Sequence, residues 1–139
     1  MSDAFLVDAS VGLAWVYPSQ ATAETEKLLE DVEAGAAVIV PSLWFLEVAN
    51  GLLAGQRRRL ITAAERKTAL EKLSGLNLTV DEETSQAAFR KTSELAERHG
   101  LSVYDAAYLE AALRCKLPLG SRDGPLRAAA RKCRVKVRG

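Results

Sequence analysis

Cysteine and histidine are scarce in this chain, which has two cysteines and one histidine among 139 residues. Cys115 and Cys133 lack C-x-x-C spacing, and with a single histidine they cannot complete a four-ligand zinc site. Two such cysteines also do not make the disulfide framework of a small secreted protein, so we expect free thiols in a reducing compartment. A structural zinc site and a disulfide scaffold are therefore excluded.

Long apolar runs are also missing. No stretch approaches the roughly 18 apolar residues of a membrane-spanning helix, and no basic segment precedes a signal-like apolar run. We therefore expect a cytoplasmic protein without a membrane partner. With 139 residues and a hydrophobic content of 48%, the chain is long enough for a single domain, 1–139, that buries its own core.

The net charge is only +1, but the charges are unevenly distributed. Residues 1–50 contain eight acidic residues against Lys27, whereas residues 122–139 contain seven basic residues against Asp123. The basic segment is compatible with a polyanionic partner and would then line the path by which that partner approaches the protein. It is equally compatible with helix faces that are simply exposed to solvent. Arginines at 57–59 follow a helical pattern, where they either complement the helix dipole or contact phosphate.

Short apolar segments alternate with helical patterns along the chain. Buried strands are predicted over 4–7, 36–40, 76–80 and 117–119, and an edge strand over 135–137. Helices are predicted over 10–16, 22–33, 42–54, 62–73, 83–99, 103–115 and 124–132. This alternation predicts an α/β domain with a mainly parallel sheet.

Four carboxylates occur where an apolar segment meets a turn or a helix: Asp8, Glu47, Asp105 and Asp123. Asp8 and Asp123 follow apolar strands, and parallel sheets bind ligands beyond the carboxyl ends of their strands. Glu47 lies in an apolar helical pattern and shares a helix face with Asn50. Asp105 lies in the first turn of a helix, near its positive end. The sequence thus directs four acids towards one crevice.

Three of these acids also have simpler explanations. Asp8 and Asp123 could each cap a helix or form a turn, and Asp105 could merely complement its helix dipole. Glu47 is harder to explain, because its apolar neighbours leave it little compensation for burial. A shared divalent cation accounts for all four, and hard oxygen ligands favour Mg²⁺, with Mn²⁺ possible. The corresponding chemistry is phosphodiester hydrolysis by a metal-activated water.

Four segments resemble the motifs of the PIN-domain ribonucleases, and they occur in the same order. They are Val-Asp-Ala-Ser-Val at 7–11, Pro-Ser-Leu-Trp through Glu-Val-Ala-Asn at 41–50, Tyr-Asp-Ala-Ala-Tyr-Leu at 104–109 and Leu-Gly-Ser-Arg-Asp at 119–123. The resemblance covers nearly the whole chain and is greatest to the VapC-type toxins of toxin–antitoxin pairs. One departure is Gly120, where relatives often carry alanine.

The resemblance implies a three-layer α/β/α fold and a magnesium-dependent endoribonuclease that cleaves RNA. The residues it implies as both catalytic and metal-binding are Asp8, Glu47, Asp105 and Asp123. Ser121 matches the small hydroxyl residue of the last motif and Asn50 the polar companion of Glu47; Ser10, two residues after Asp8, is a further supporting residue. A homodimer and a VapB-like antitoxin are the implied protein partners.

Two other functions remain open at the level of sequence. A haloacid-dehalogenase-like phosphatase also begins with a strand that ends in aspartate, but it needs a second acid where Ser10 stands. A non-enzymatic α/β binding module would apply if the acids were dispersed. Among the aromatic residues, core packing is the more common role for Trp15, Trp44, Tyr104 and Tyr108. Trp15 and Tyr17 are the better candidates for stacking on RNA bases, because they belong to a helix that is broken by a proline.

Overall fold

The computed structural model describes residues 3–139, and its centre is a five-stranded sheet. The strands are β1 Phe5–Val7, β2 Val38–Pro41, β3 Leu78–Asp81, β4 Leu119–Gly120 and β5 Val137–Arg138. Their order is β3-β2-β1-β4-β5, and every pairing is parallel. The predicted parallel sheet is therefore confirmed, including an edge strand near the C-terminus.

Helices flank this sheet and complete the three-layer α/β/α architecture that the motifs implied. They are α1 Ala9–Val16, α2 Ala23–Glu33, α3 Leu43–Arg57, α4 Ala63–Ser74, α5 Thr84–Ala87, α6 Ser93–His99, α7 Val103–Cys115 and α8 Gly124–Lys132, with a short 3₁₀ turn at Pro18–Gln20. Within residues 3–139, none of them combines the length and apolar character needed to cross a membrane.

Side-chain caps begin three of the helices, α1, α7 and α8. Asp8, Ser102 and Asp123 precede α1, α7 and α8, and each accepts a hydrogen bond from the backbone N–H three residues later. Such a cap satisfies an N–H that has no partner inside the helix. β1 is wholly buried, so the chain passes within one residue from the centre of the core to the cap at Asp8.

The helix predicted over 83–99 is interrupted. A π-helical turn, Ala88–Thr92, separates α5 from α6. The Ser93 hydroxyl donates to the Ala88 carbonyl at 2.7 Å, and a hydroxyl that bonds to a backbone carbonyl in this way competes with the regular helical pattern. Gly100 then ends α6 with a left-handed φ of +66°. Apolar spacing alone does not reveal a single π turn.

Arg114, near the end of α7, is shared by two carboxylates that are almost inaccessible to solvent. Its Nη2 lies 2.7 Å from Asp81 Oδ2, and its Nε lies 2.8 Å from Glu110 Oε2. The side chains of Asp81 and Glu110 are only 7% and 4% exposed. The guanidinium holds the pKa of Asp81 below its ordinary value. One cation therefore compensates two buried acids and ties α7 to the end of β3.

Candidate active site

Asp8 lies at the carboxyl end of β1 and is held on both carboxylate oxygens. Ser10 Oγ donates to its Oδ1 at 2.5 Å, and Ser121 Oγ donates to its Oδ2 at 2.6 Å. The Val11 N–H also donates to Oδ1, at 3.2 Å. Only 4% of Asp8 is exposed. The carboxylate is thus buried but well supplied with donors, which fix its orientation.

The two serines also bind the backbone of the loop between β4 and α8. Ser10 Oγ accepts from the Arg122 N–H at 2.9 Å, and Ser121 Oγ accepts from the Asp123 N–H at 3.0 Å. Hydroxyls can donate and accept together, so each serine bridges Asp8 to this loop. The structure therefore joins Asp8, Ser10, Ser121 and the backbone of Asp123 in one polar network.

Asp123 caps α8, which is the simpler role that the sequence left open for it. Its Oδ2 accepts from the Leu126 N–H at 3.0 Å. It nevertheless lies close enough to two other acids to disfavour their charge, because it contributes to the raised pKa values of Asp8 and Asp105. Capping a helix and belonging to the acid cluster are therefore compatible at this position.

Glu47 and Asp105 reach the cluster from helices. Glu47, on α3, accepts a hydrogen bond from the hydroxyl of Tyr108 at 2.5 Å. Tyr108 lies three residues after Asp105 on α7, so the two share a helix face. Burial and the neighbouring Glu47 raise the pKa of Tyr108 far above its ordinary value, so its hydroxyl stays protonated and donates. This contact links α3 to α7.

Trp44 supports the same site from one turn before Glu47. Its buried indole Nε1 donates to the backbone carbonyl of Asp8 at 3.0 Å. The approach requires a glycine on α1, because a Cβ at Gly12 would lie 2.5 Å from Trp44 Cζ2. The backbone of the β1–α1 junction is thereby fixed to α3.

The electrostatics connect the four acids to one another. Burial is the main cause that raises the pKa values of Asp8, Glu47 and Asp105. Neighbouring carboxylates raise them further: Asp123 acts on Asp8 and Asp105, while Asp105 and Asp8 act on Glu47. Four carboxylates that disfavour each other's charge form a region that should attract cations.

The donor chemistry fits a hydrated Mg²⁺ or Mn²⁺ ion better than an ion enclosed by protein ligands. In the described part of the chain, no three acidic, histidine or cysteine side chains are grouped closely enough to hold a metal by themselves. Mg²⁺ usually retains several waters and binds through one or two carboxylates together with substrate phosphate. Hard oxygens spread around a cleft suit that mode of binding.

The other residues selected from the sequence have varied positions. Asn50 lies on the exposed side of α3, three residues after Glu47, and is not part of the polar network described above. The stacking prediction for Trp15 and Tyr17 is wrong, because both are 6% exposed. Trp15 donates instead to the Thr25 carbonyl at 3.0 Å. The core assignment of Tyr104 is also wrong, because this side chain, next to Asp105 in the chain, is exposed.

Tyr108 and Trp44 were correctly assigned to the core, but their contacts with the site were not predicted from the sequence. The three-residue spacing of Asp105 and Tyr108 was the available signal, because it places both on one helix face. No comparable signal pointed from Trp44 to the carbonyl of Asp8.

Solved structures with similar folds come from several organisms. PAE2754 from Pyrobaculum aerophilum has a TM-score of 0.63 and 26% identity, covering 93% of this chain and 87% of that chain. FitAcB from Neisseria gonorrhoeae has a TM-score of 0.59 and 19% identity, covering 96% and 95%. A toxin–antitoxin complex from Klebsiella pneumoniae has a TM-score of 0.53 and 17% identity, covering 86% of each chain.

Sequence comparison gives a family. No curated protein matches the chain significantly, but the family model of the PIN domain matches residues 5–132. That span contains all four acids of the cluster, both serines that hold Asp8, and the Tyr108 and Trp44 side chains. With the family model covering nearly its whole length, the chain belongs to the PIN-domain family.

Proposed function

We propose that this protein is a magnesium-dependent endoribonuclease and the toxin of a VapBC-type toxin–antitoxin pair. The observation that carries the proposal is the polar network in which Ser10 and Ser121 hold both oxygens of Asp8 and bind the loop of Asp123. Glu47 and Asp105 lie near this network, since neighbouring carboxylates help to raise the pKa values of both. Membership of the PIN-domain family supports a nuclease. The fold shared with a toxin–antitoxin complex supports an antitoxin partner.

Asp8, Glu47, Asp105 and Asp123 are the residues from which the carboxylate ligands of the cation, Mg²⁺ or in its place Mn²⁺, would come, with water and substrate phosphate as its other ligands. When bound, such an ion supplies Lewis-acid stabilisation of charge on the phosphodiester and lowers the pKa of water. Ser10 and Ser121 keep both oxygens of Asp8 oriented in the absence of other ligands. Tyr108 does the same for one oxygen of Glu47. The protein thus presents preoriented carboxylates, which lowers the cost of assembling the site.

Ser10 argues against a haloacid-dehalogenase-like phosphatase. That chemistry needs a carboxylate two residues after the strand-end aspartate, and Ser10 instead donates to Asp8 at 2.5 Å. The remaining partners of the proposal are a second copy of the chain, in a homodimer, and a VapB-like antitoxin. Analytical ultracentrifugation of the purified chain, alone and with the product of an adjacent short reading frame, tests both.

Removal of divalent cations should abolish cleavage of a loop-containing RNA. The carboxylates repel one another and the phosphodiester when no cation balances them, so substrate cannot be held productively. Cleavage should be followed by gel electrophoresis with Mg²⁺, with EDTA, and after Mg²⁺ or Mn²⁺ is restored in excess. Metal-independent cleavage would refute the mechanism, and turnover of phosphomonoesters in place of RNA would favour a phosphatase.

Tyr108→Phe should weaken cation binding by about 10-fold, the lower range for loss of a group that orients a metal ligand. The change removes only the hydroxyl that donates to Glu47. Isothermal titration with Mn²⁺ and the rise in Tm on adding Mn²⁺ both report on binding without relying on activity. Tyr17→Phe is the matched control, because Tyr17 is also buried but its hydroxyl packs against Gly55. Equal cation affinity in the two variants would contradict the role of Tyr108.

A further inference from the structure

Four large apolar side chains at the starts of α3 and α7 are exposed to solvent. Phe45 and Leu46 lie in the first turn of α3, and Val103 and Tyr104 begin α7. One exposed apolar side chain is ordinary in a soluble protein, whereas several together mark an interaction surface. We call these four residues the apolar face.

One hydrogen bond brings the two helices of the apolar face together beside the acid cluster. The Tyr108 hydroxyl donates to Glu47 at 2.5 Å, so the first half of α7 lies against the start of α3. Leu46 directly precedes Glu47 in the chain. Tyr104 lies one turn before Tyr108 on the same side of α7. Asp105, next to Tyr104, also contributes to the raised pKa of Glu47. The apolar face therefore adjoins two of the four acids.

Up to Gln56, the outward side of α3 carries no charge. Over 42–56 the only ionisable side chain is Glu47, which is half-buried. Beyond the apolar face, the outward side of α3 presents Ala49, Asn50 and Leu53. The next helix, α4, differs because four of its exposed residues are charged: Glu65, Lys67, Glu71 and Lys72. A helix that packs on the core with one side usually exposes charged residues on the other. The outward side of α3 instead has the composition of a covered surface.

The area of the apolar face fits a protein partner. Its side chains are between 43% and 75% exposed, which leaves roughly 400 Å² of apolar surface in water if a large side chain offers about 150–250 Å². Each partner in a stable complex buries about 800 Å², so the apolar face supplies about half of that area. The uncharged residues beside it on α3 add to this area, and an interface core is depleted of charge and enriched in aromatic residues.

The lack of charge favours a second copy of the chain as this partner. A two-fold interface sets each residue near the axis against its own counterpart in the other copy. Charged residues there would meet like charges, whereas an uncharged face meets its copy without repulsion. A partner of different sequence is selected largely by charge complementarity. The apolar face offers none, whereas Glu26, Glu30 and Glu33 are exposed on α2.

We propose that two copies of this chain form a homodimer through the apolar face. The inference rests on the homodimer named in the proposed function and adds the residues that form its interface. Dimerisation removes Leu46 and Tyr104 from water beside Glu47. Each acid cluster therefore lies next to the interface, with α3 and α7 as the elements that connect the two.

Leu46→Lys and Tyr104→Lys test the two helices of the apolar face separately. Leu60→Lys is the matched control, because Leu60 is also a large, exposed apolar residue but follows the end of α3, roughly 15 Å along that helix from Leu46. Each variant adds one positive charge at an exposed position, so the fold of the single chain should be kept. Far-UV circular dichroism and thermal unfolding verify this for all three variants.

Sedimentation velocity over a series of concentrations should give the Kd of the dimer. The Kd of Leu46→Lys and of Tyr104→Lys should each exceed that of the parent by about 100-fold or more, because every dimer then buries two unpaired ammonium groups. The Kd of Leu60→Lys should equal that of the parent. Hydrogen exchange provides a second measurement. Amide exchange over 43–47 and 103–105 should slow as the parent concentration rises, and Leu46→Lys should abolish that dependence.

Different failures have different results. A parent that stays monomeric at every concentration contradicts both this interface and the homodimer of the proposed function. A parent dimer that Leu46→Lys and Tyr104→Lys leave intact keeps the homodimer but overturns the apolar face as its interface. Unchanged dimerisation with lost binding of the product of the adjacent short reading frame assigns the face to an antitoxin instead. Absence of RNA cleavage in Mg²⁺ contradicts only the ribonuclease, and the difference between Leu46→Lys and Leu60→Lys in Kd then persists.

Discussion

Asp8→Asn should lower RNA cleavage by about 10³-fold or more, the scale expected when a group essential to the transition state is lost. Asparagine is nearly isosteric and can still cap α1, but it removes the negative charge that a cation requires. Ser10 and the Val11 N–H can go on donating to the amide oxygen, while the Ser121 hydroxyl can rotate to accept from the amide nitrogen. Activity should therefore fall without loss of the fold.

The same variant should keep or exceed the stability of the parent at neutral pH. Burial raises the pKa of Asp8 in the folded protein, so the folded state binds protons more tightly than the unfolded chain. Linkage then makes the parent lose stability as pH rises from about 4 through that raised pKa. The asparagine side chain of the variant does not titrate and has no such loss. The Tm difference in favour of the variant should be present at pH 7 and vanish below about pH 4.

Cleavage assays and thermal unfolding measured on one preparation check both statements. Full activity in Asp8→Asn would remove this residue from the catalytic site. A large fall in Tm would show that Asp8 is chiefly a structural cap, and the loss of cleavage would then need another explanation.

Arg114→Met should destabilise the protein by about 3 kcal/mol, because it leaves Asp81 and Glu110 buried without their shared cation. The estimate lies at the low end for a broken buried pair, since the Arg114 side chain is still 26% exposed. For a chain of this length, such a loss lowers Tm by roughly 10 °C. Arg98→Met, at an exposed position on α6, is the surface control and should change Tm little.

The stability lost in Arg114→Met should depend on pH in the opposite sense to the stability effect of Asp8→Asn. Arg114 lowers the pKa of Asp81, so its contribution to stability is complete above about pH 4 and is lost as pH falls through the depressed value. Urea unfolding at pH 7 and at pH 3 should show the gap between parent and variant narrowing at the lower pH. Adding Asp81→Asn and Glu110→Gln to Arg114→Met should recover stability. An additive further loss would contradict the shared-cation interpretation.

The effects expected for Asp8→Asn and Arg114→Met both depend on contacts between different helices and strands. The sequence predicts such contacts only in part. Asp8 and Asp123 were placed correctly because β1 and β4 are adjacent parallel strands, and side chains beyond the ends of adjacent strands converge. The spacing of Thr62 and Glu65 is likewise typical of a capping box, and the structure contains it. Local rules and strand ends thus locate much of the candidate site.

Contacts between side chains on different helices and strands could not be predicted from the sequence. Tyr108 and Glu47 are 61 residues apart, and Asp81 and Arg114 are 33 apart; each pair depends on how α7 packs. Ser42 is a residue type that often caps a helix and it directly precedes α3, but it has helical dihedrals and makes no capping bond with its side chain. The prediction for Trp15 and Tyr17 was wrong because a short helix that ends before a proline can still be covered by neighbouring helices. The spacing of apolar residues along the chain does not show which side chains are buried by neighbouring helices.

The bond between Ser121 and Asp8 joins residues 113 positions apart in the chain, and this has a consequence during synthesis. When Asp8 has emerged from the ribosome, β4 and the loop after it have still to be synthesised. Only then can Ser121 donate its hydrogen bond to the second carboxylate oxygen of Asp8. A nascent fragment therefore carries an incomplete site, however well β1 and α1 have formed. For a protein proposed to destroy RNA, completion of the candidate site is thus deferred until Ser121 has reached Asp8.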